Sequence, residues 1–361
     1  MRLVVDPANL ESAEKALESA AGILRAGGLV ALPTETVYGL GANALNAAAV
    51  ERIFAAKQRP SWDPIIVHIS DLAMLDGLVE EIPAAARRLM EACWPGPLTL
   101  LLRRTAAVPD AVTAGRPLVG VRMPAHPVAL ELIRRAGVPV AAPSANTFSH
   151  ISPTTAEHVL EDLDGRIDAV LDAGPTEHGL ESTVLDAGQS PMVIYRPGAV
   201  TALQIEKIAG PVEDYRPRSP LLDALLQAQT QETQPRAALP SPGVGLRHYA
   251  PQARLILVDG EPGELAAKLA AAAADWQGER LGLLLPADME ASFAPAAIFA
   301  WGRWAEPAEM ARDLYAGLRA LDAAGCTVIL APLPRAEGIG AALRDRLRKA
   351  AYEKQGIGNR E

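Results

Sequence analysis

The sequence predicts an α/β protein made of two unequal units joined by an irregular stretch, and three observations carry that prediction. Helical apolar spacing alternates with short apolar runs over roughly the first 200 residues, the alternation breaks down at 211–250, and it resumes from 251 to 361. A chain of 361 residues that is 49% hydrophobic and 21% charged is long enough to bury two cores of ordinary size.

Residues 9–26 carry apolar side chains at helical spacing and stop at Gly27 and Gly28, after which LVALP at 29–33 reads as a buried strand. A helix at 46–57, a strand at 65–69, a helix at 83–93 behind Pro83 and a strand at 98–103 follow. Strands at 118–122, 139–142, 168–172, 182–186 and 192–195, with helices near 127–136 and 154–162, complete a first domain over residues 1–210. Residues 211–250 are rich in Pro, Gln and Gly and read as a linker, within which LLDALLQAQ suits a short helix. From 251 to 361 the order is strand, helix, strand, strand, helix, strand, helix, which favours a small open sheet with helices on its faces.

The totals exclude several classes of function. A net charge of −9 argues against a protein that coats nucleic acid non-specifically, because such binding is dominated by phosphate neutralisation. A local cationic pocket remains compatible with it. Two cysteines far apart, Cys93 and Cys326, make neither a disulfide framework nor a metal pair, and a cytoplasmic setting is expected. No export signal or membrane anchor is expected either, since the apolar stretches are too short or too interrupted. The GxxxxGK[ST], HExxH and GxSxG patterns are missing, so any phosphate site is built differently.

Cations stand next to turn chemistry in the first domain. Lys57 and Arg59 precede Pro60, Arg122 ends the strand in LVGVRMP, and Arg196 ends the strand in MVIYRPG. Singly, each reads more readily as a solvated or salt-bridged residue; together, at strand ends of one domain, they favour a shared anion pocket. PTETVYGLGANA at 33–44 places Thr34, Glu35 and Thr36 directly after a buried strand, where a ligand contact and an ordinary turn account for them equally well. In APSANTFSHISPTTAEHV, Pro143, Ser144 and Asn146 form a polar loop able to cradle phosphate through backbone N–H groups, while Thr154 and Thr155 read as helix caps. Alternation along HGLESTVLD turns only one of Ser182 and Thr183 towards a site. His68, inside IIVHIS, reads first as a hydrogen-bonded core residue.

As an ordered set, PTETVYGLGANA, KQRPSWDPIIVHI, WPGPLTL, VGVRMP, APSAN, ISPTTAEHV, ESTVLD and YRPGAV resemble the YrdC-like L-threonylcarbamoyladenylate synthases, and SPGVGLRHYAP with a second α/β domain resembles their longer, two-domain form. The resemblance implies a YrdC-like twisted α/β domain with a positive cavity, followed by a smaller Rossmann-like α/β domain. It implies an enzyme that condenses L-threonine, bicarbonate and ATP, with Mg²⁺, into threonylcarbamoyl-AMP and pyrophosphate. A separate transferase complex would then pass the threonylcarbamoyl group to tRNA, and direct contact with tRNA is open.

By the same resemblance, Lys57 and Arg59 would grip the ATP phosphates and act as the residues nearest the chemistry. Thr34, Thr36, His68, Arg122 and Ser182 would form the threonine pocket, with Arg122 on the carboxylate. Ser144, Asn146, Ser152 and Arg196 would hold the nucleotide, and Tyr249 would fold back over the site as a lid. No metal ligand is assigned to the protein. Three positions depart from the family pattern: Gln58 and Ser149 stand where glycine is common, and Asp63 where asparagine is frequent. The competing reading is a non-catalytic RNA-binding or translation-associated module; carbamoyl transfer in metalloenzyme maturation would need acylphosphatase-like and zinc-finger segments that are missing.

Overall fold

The computed structural model describes residues 1–216, 238–241, 243–245 and 248–351. The helix suggested for LLDALLQAQ lies outside them.

An eleven-stranded sheet forms the first unit, in the order β1-β8-β2-β3-β7-β4-β6-β5-β9-β10-β11. Its strands are β1 (Arg2–Val4), β2 (Val30–Leu32), β3 (Gly39–Asn43), β4 (Ile66–His68), β5 (Leu98–Arg103), β6 (Leu118–Arg122), β7 (Val140–Ala141), β8 (Ala169–Asp172), β9 (Thr183–Asp186), β10 (Met192–Arg196) and β11 (Val212–Asp214). Helices α1 (Glu14–Arg25), α2 (Ala47–Lys57), α3 (Ala84–Cys93), α4 (Asp110–Thr113), α5 (Pro127–Ala136), α6 (Ala156–Leu163) and α7 (Ala202–Ala209) accompany it. On α1, Leu17, Ala20, Ala21 and Leu24 form one apolar stripe, buried with Val128, Leu132 and Ile133 of α5. Asn46 caps α2 by accepting from the Ala49 N–H, and Gln58 closes it in the left-handed region.

Three strands were not foreseen. GLGAN, rich in glycine, lacks the β-branched alternation by which strands are read, yet it forms β3 in the middle of the sheet. β1 is three residues at an edge, and Val212–Asp214, read as linker, pairs with β10 as β11.

The second unit is a parallel sheet, β12-β15-β13-β14, formed by β12 (Arg254–Val258), β13 (Leu281–Leu285), β14 (Ala297–Ala300) and β15 (Val328–Pro332). Helices α8 (Pro262–Ala274), α9 (Pro307–Ala323) and α10 (Ile339–Ala350) connect and cover it, as the alternating pattern predicts. No helix among the described residues is long and apolar enough to cross a membrane.

The units share a core. Val37, Ile151 and Leu180 of the first cluster with Tyr249, Leu255, Leu314, Tyr315 and Leu343. Gly179 makes the approach possible: its φ is +68°, and a Cβ there would lie 2.5 Å from the Ala311 carbonyl oxygen of α9.

Candidate functional site

Strand register brings the first cluster together. β4 and β6 are parallel with His68 opposite Arg122, so the two side chains arrive side by side at the strand ends. Arg122 is buried, donating from Nη1 to Thr36 Oγ1 at 2.9 Å and from Nε to the Gly96 carbonyl at 3.2 Å. The hydroxyls of Thr34 and Thr36 lie 2.8 Å apart, and Thr34 Oγ1 donates to the Val37 carbonyl at 2.6 Å. Arg122 Nη2 forms a buried ion pair with Glu35 Oε1 at 2.6 Å. Burial opposes the charge on Glu35, yet Arg122 keeps its carboxyl below the ordinary range. Burial and the nearby Arg122 pull His68 down to about 3, so it is neutral at physiological pH, and its Nδ1 has no hydrogen-bond partner among the described residues.

A second cluster forms where β9 meets β10. The pairing is irregular between Ile194 and Arg196, and such a disruption re-aims the arginine. Arg196 donates from Nε to the Ser182 carbonyl and from Nη2 to Ser182 Oγ, each at 3.0 Å, while Thr99 Oγ1 lies 2.8 Å from the same hydroxyl. Thr183 points the other way and donates to the Val200 carbonyl at 2.6 Å.

Both clusters open into one cleft. Thr34, Thr36, His68, Arg122 and Ser182 all line it, and so do Arg59, Ser144, Arg196 and Tyr249. Arg59 is buried, paired with Asp63 at 3.0 Å and donating to the Asp63 and Pro64 carbonyls at 3.2 and 2.8 Å. Burial raises the Asp63 carboxyl despite Arg59 and Lys57 nearby. Tyr249 comes from the far side of the linker, with φ at +64° and a buried hydroxyl that has no hydrogen-bond partner among the described residues. Gly243 and His248 reach the cleft with it.

Lys57, Asn146 and Ser152 do not line the cleft; they stand behind its wall. Lys57, expected to grip phosphate, is turned inward in this structure. Its Nζ donates to the carbonyls of Ser144 and Asn146 and, at 3.2 Å, to Asn146 Oδ1. Three acceptors match the three N–H groups of an ammonium, although burial and then Arg59 lower its proton affinity well below that of a free lysine. Asn146 in turn donates to the Thr147 and His150 carbonyls at 3.0 and 2.8 Å. These residues shape the loop that presents Ser144.

Sequence reasoning missed Glu181, which lines the cleft. Its carboxylate accepts from Ser152 Oγ at 2.6 Å, from the Tyr315 hydroxyl at 2.9 and 3.1 Å, and from Arg346 Nε at 2.7 Å. The available signal was Arg346 itself, an arginine on the same helical stripe as Ala342, Leu343, Leu347 and Ala350.

Among the described residues no group of three or more His, Cys, Asp or Glu side chains is placed to hold a metal ion. The cleft offers instead three guanidinium groups, the imidazoles of His68 and His248, the Glu181 carboxylate and several hydroxyls. That set suits two anionic ligands side by side.

Residues 22–198 match the family model Sua5_yciO_yrdC, described as telomere recombination, and residues 200–352 match the C-terminal domain of threonylcarbamoyl-AMP synthase. The chain is 42% identical over 334 residues to the threonylcarbamoyl-AMP synthase of Pyrococcus abyssi, covering 92% of this chain and 93% of that one. It is 41% identical to the enzyme of the same name from Bacillus subtilis, covering 95% and 94%. A crystal structure of P. abyssi Sua5 complexed with L-threonine superposes with a TM-score of 0.85 at 40% identity, covering 97% of each chain.

Proposed function

The chain belongs to the threonylcarbamoyl-AMP synthase family, and from that premise we propose that its cleft joins L-threonine, bicarbonate and ATP to give threonylcarbamoyl-AMP and pyrophosphate. The observation that carries this reading is the convergence of Arg122 with His68 and of Arg196 with Ser182 on one cleft that Arg59 also lines.

In this reading threonine lies at the Arg122 end. Its carboxylate pairs with the Arg122 guanidinium, with the Thr34 and Thr36 hydroxyls alongside, and neutral His68 adds no competing charge. The amine and bicarbonate give a carbamate and water. A carbamate oxygen then attacks the α-phosphate in line with the departing pyrophosphate.

The barrier to that step is the meeting of two anions and the charge of a pentavalent phosphorus. Positioned guanidinium groups and backbone N–H groups lower it, and no side-chain nucleophile is required. Arg59, Arg196 and the Ser144 loop take the nucleotide, and Lys57 fixes that loop from behind. Tyr249 covers the cleft, which limits hydrolysis of the mixed anhydride. Mg²⁺ would accompany ATP as part of the substrate, where it would offset phosphate charge.

The product is an activated acyl donor, so a separate transferase acting on tRNA in the cytoplasm consumes it. The test is pyrophosphate release from ATP with threonine and bicarbonate omitted in turn, alongside detection of the adenylate. Release that needs both is expected; turnover indifferent to threonine overturns the reading.

A further inference from the structure

Glu181 poses a problem that the first unit does not solve alone. It lines the cleft, and a bare carboxylate there would repel a triphosphate. Among the described residues of its own unit, only Ser152 Oγ bonds its side chain, with Arg196 contributing at longer range. The main counter-charge comes from the other unit: Arg346 on α10 donates from Nε to Oε2, and Tyr315 on α9 donates to both oxygens.

The same two residues hold the ring that covers the cleft. The Arg346 guanidinium lies over Tyr249, 5.3 Å from the ring centre, and Tyr315 stacks on Tyr249 at 5.7 Å with planes 28° apart. Asp345, 2.6 Å from Arg346 Nη1, fixes the guanidinium from its far side.

We propose that Arg346 and Tyr315 are positioning residues for the reaction: the second unit cancels the charge of Glu181 and seats Tyr249, and so makes the cleft receptive to a nucleoside triphosphate. The cancellation works by pairing and not by protonation. Burial disfavours the charged carboxylate, but Arg346 and then Arg196 hold it ionised, at about 2. This inference rests on the synthase reading above.

Steady-state kinetics on the full chain test it. Arg346→Met strands the carboxylate, and a rise in the ATP KM of roughly tenfold or more is expected. The threonine KM should change by less than about twofold, since Arg122 lies in the other cluster. Adding Glu181→Gln to Arg346→Met removes the stranded charge and should recover most of the loss, a rescue that a merely structural role for Arg346 would not give. Tyr315→Phe keeps the ring stack, loses only the hydroxyl, and should raise the ATP KM by a smaller factor; it decides the matter if Arg346→Met fails to fold. An unchanged ATP KM in the folded variants, equal losses for both substrates, or a double variant no better than the single one overturns the proposal. Wild-type protein assayed alongside separates the two readings, because absence of threonine-dependent pyrophosphate release there removes the synthase itself.

Discussion

Lys57 and Asn146 lock two loops together: the lysine Nζ donates to both the main-chain carbonyl and the side-chain oxygen of Asn146, and the Phe148 N–H returns a bond to the Lys57 carbonyl at 2.8 Å. The KQRP and PSAN segments are therefore one mechanical unit. Lys57→Met leaves the Ser144 and Asn146 carbonyls unpaired in the interior and should cost about 2 kcal/mol, read from the urea midpoint. ATP use should fall with it, because Ser144 loses its support. A variant of wild-type stability with reduced ATP affinity would instead show a direct phosphate contact.

Arg122→Lys should raise the threonine KM at least roughly tenfold while leaving the ATP KM within about twofold, since a point ammonium cannot reproduce the guanidinium fork on Thr36, Gly96 and a carboxylate at once. Steady-state assays varying each substrate in turn check the division. Equal effects on both would erase the boundary drawn between the two ends of the cleft.

Asp63→Asn tests the one buried carboxylate paired with Arg59. The amide keeps the shape and removes the charge, while the main-chain bonds from Arg59 to the Asp63 and Pro64 carbonyls persist. ATP should bind about threefold more tightly, because a counter-anion at 3.0 Å no longer competes with phosphate. Isothermal titration with a non-hydrolysable ATP analogue measures it.

Gln58 and Ser149 both adopt left-handed backbone, at φ +54° and +66°. These are the two positions where the family pattern favours glycine, and left-handed geometry is the physical reason for that preference. Gln58→Gly and Ser149→Gly should each stabilise the fold by about 0.5–1 kcal/mol, seen as a higher Tm, the relief of backbone strain exceeding the entropy that glycine costs.

Acid should weaken the fold earlier than carboxylate titration predicts. His68 sits near 3 when folded and near its ordinary 6.5 when unfolded, so below 6.5 the unfolded chain binds the additional proton. Its contribution is intact above pH 6.5 and is lost progressively as pH falls towards 3. Between pH 7 and 5 that amounts to about 2 kcal/mol from His68 alone. Glu181 adds a loss of the same sign only from about 4.5 towards 2. Urea midpoints measured across this range should fall from pH 6.5 downwards, with a shallower slope in His68→Gln; a flat profile to pH 5 would contradict the buried neutral imidazole.

Much of this arrangement was legible because it is local. The spacing of Leu17, Ala20, Ala21 and Leu24 gives away α1, and the Val-rich runs ending in His68 and Arg122 give away β4 and β6. What escaped is what depends on partners distant in the chain. β3 is a strand because β2 and β7 flank it, not because GLGAN prefers extension. Lys57 read as a surface or phosphate-facing cation because nothing in KQRP announces the carbonyls of the PSAN loop. Glu181 looked like an ordinary acidic residue before a strand, since its cation and its phenol come from α10 and α9.

The shared core behind Gly179 also bears on how the protein can be divided. A chain cut after residue 210 would keep every guanidinium of the cleft, yet it would bare Val37, Ile151 and Leu180 to water and leave Glu181 without its arginine. Such a fragment would carry an apolar face that the smaller unit otherwise covers.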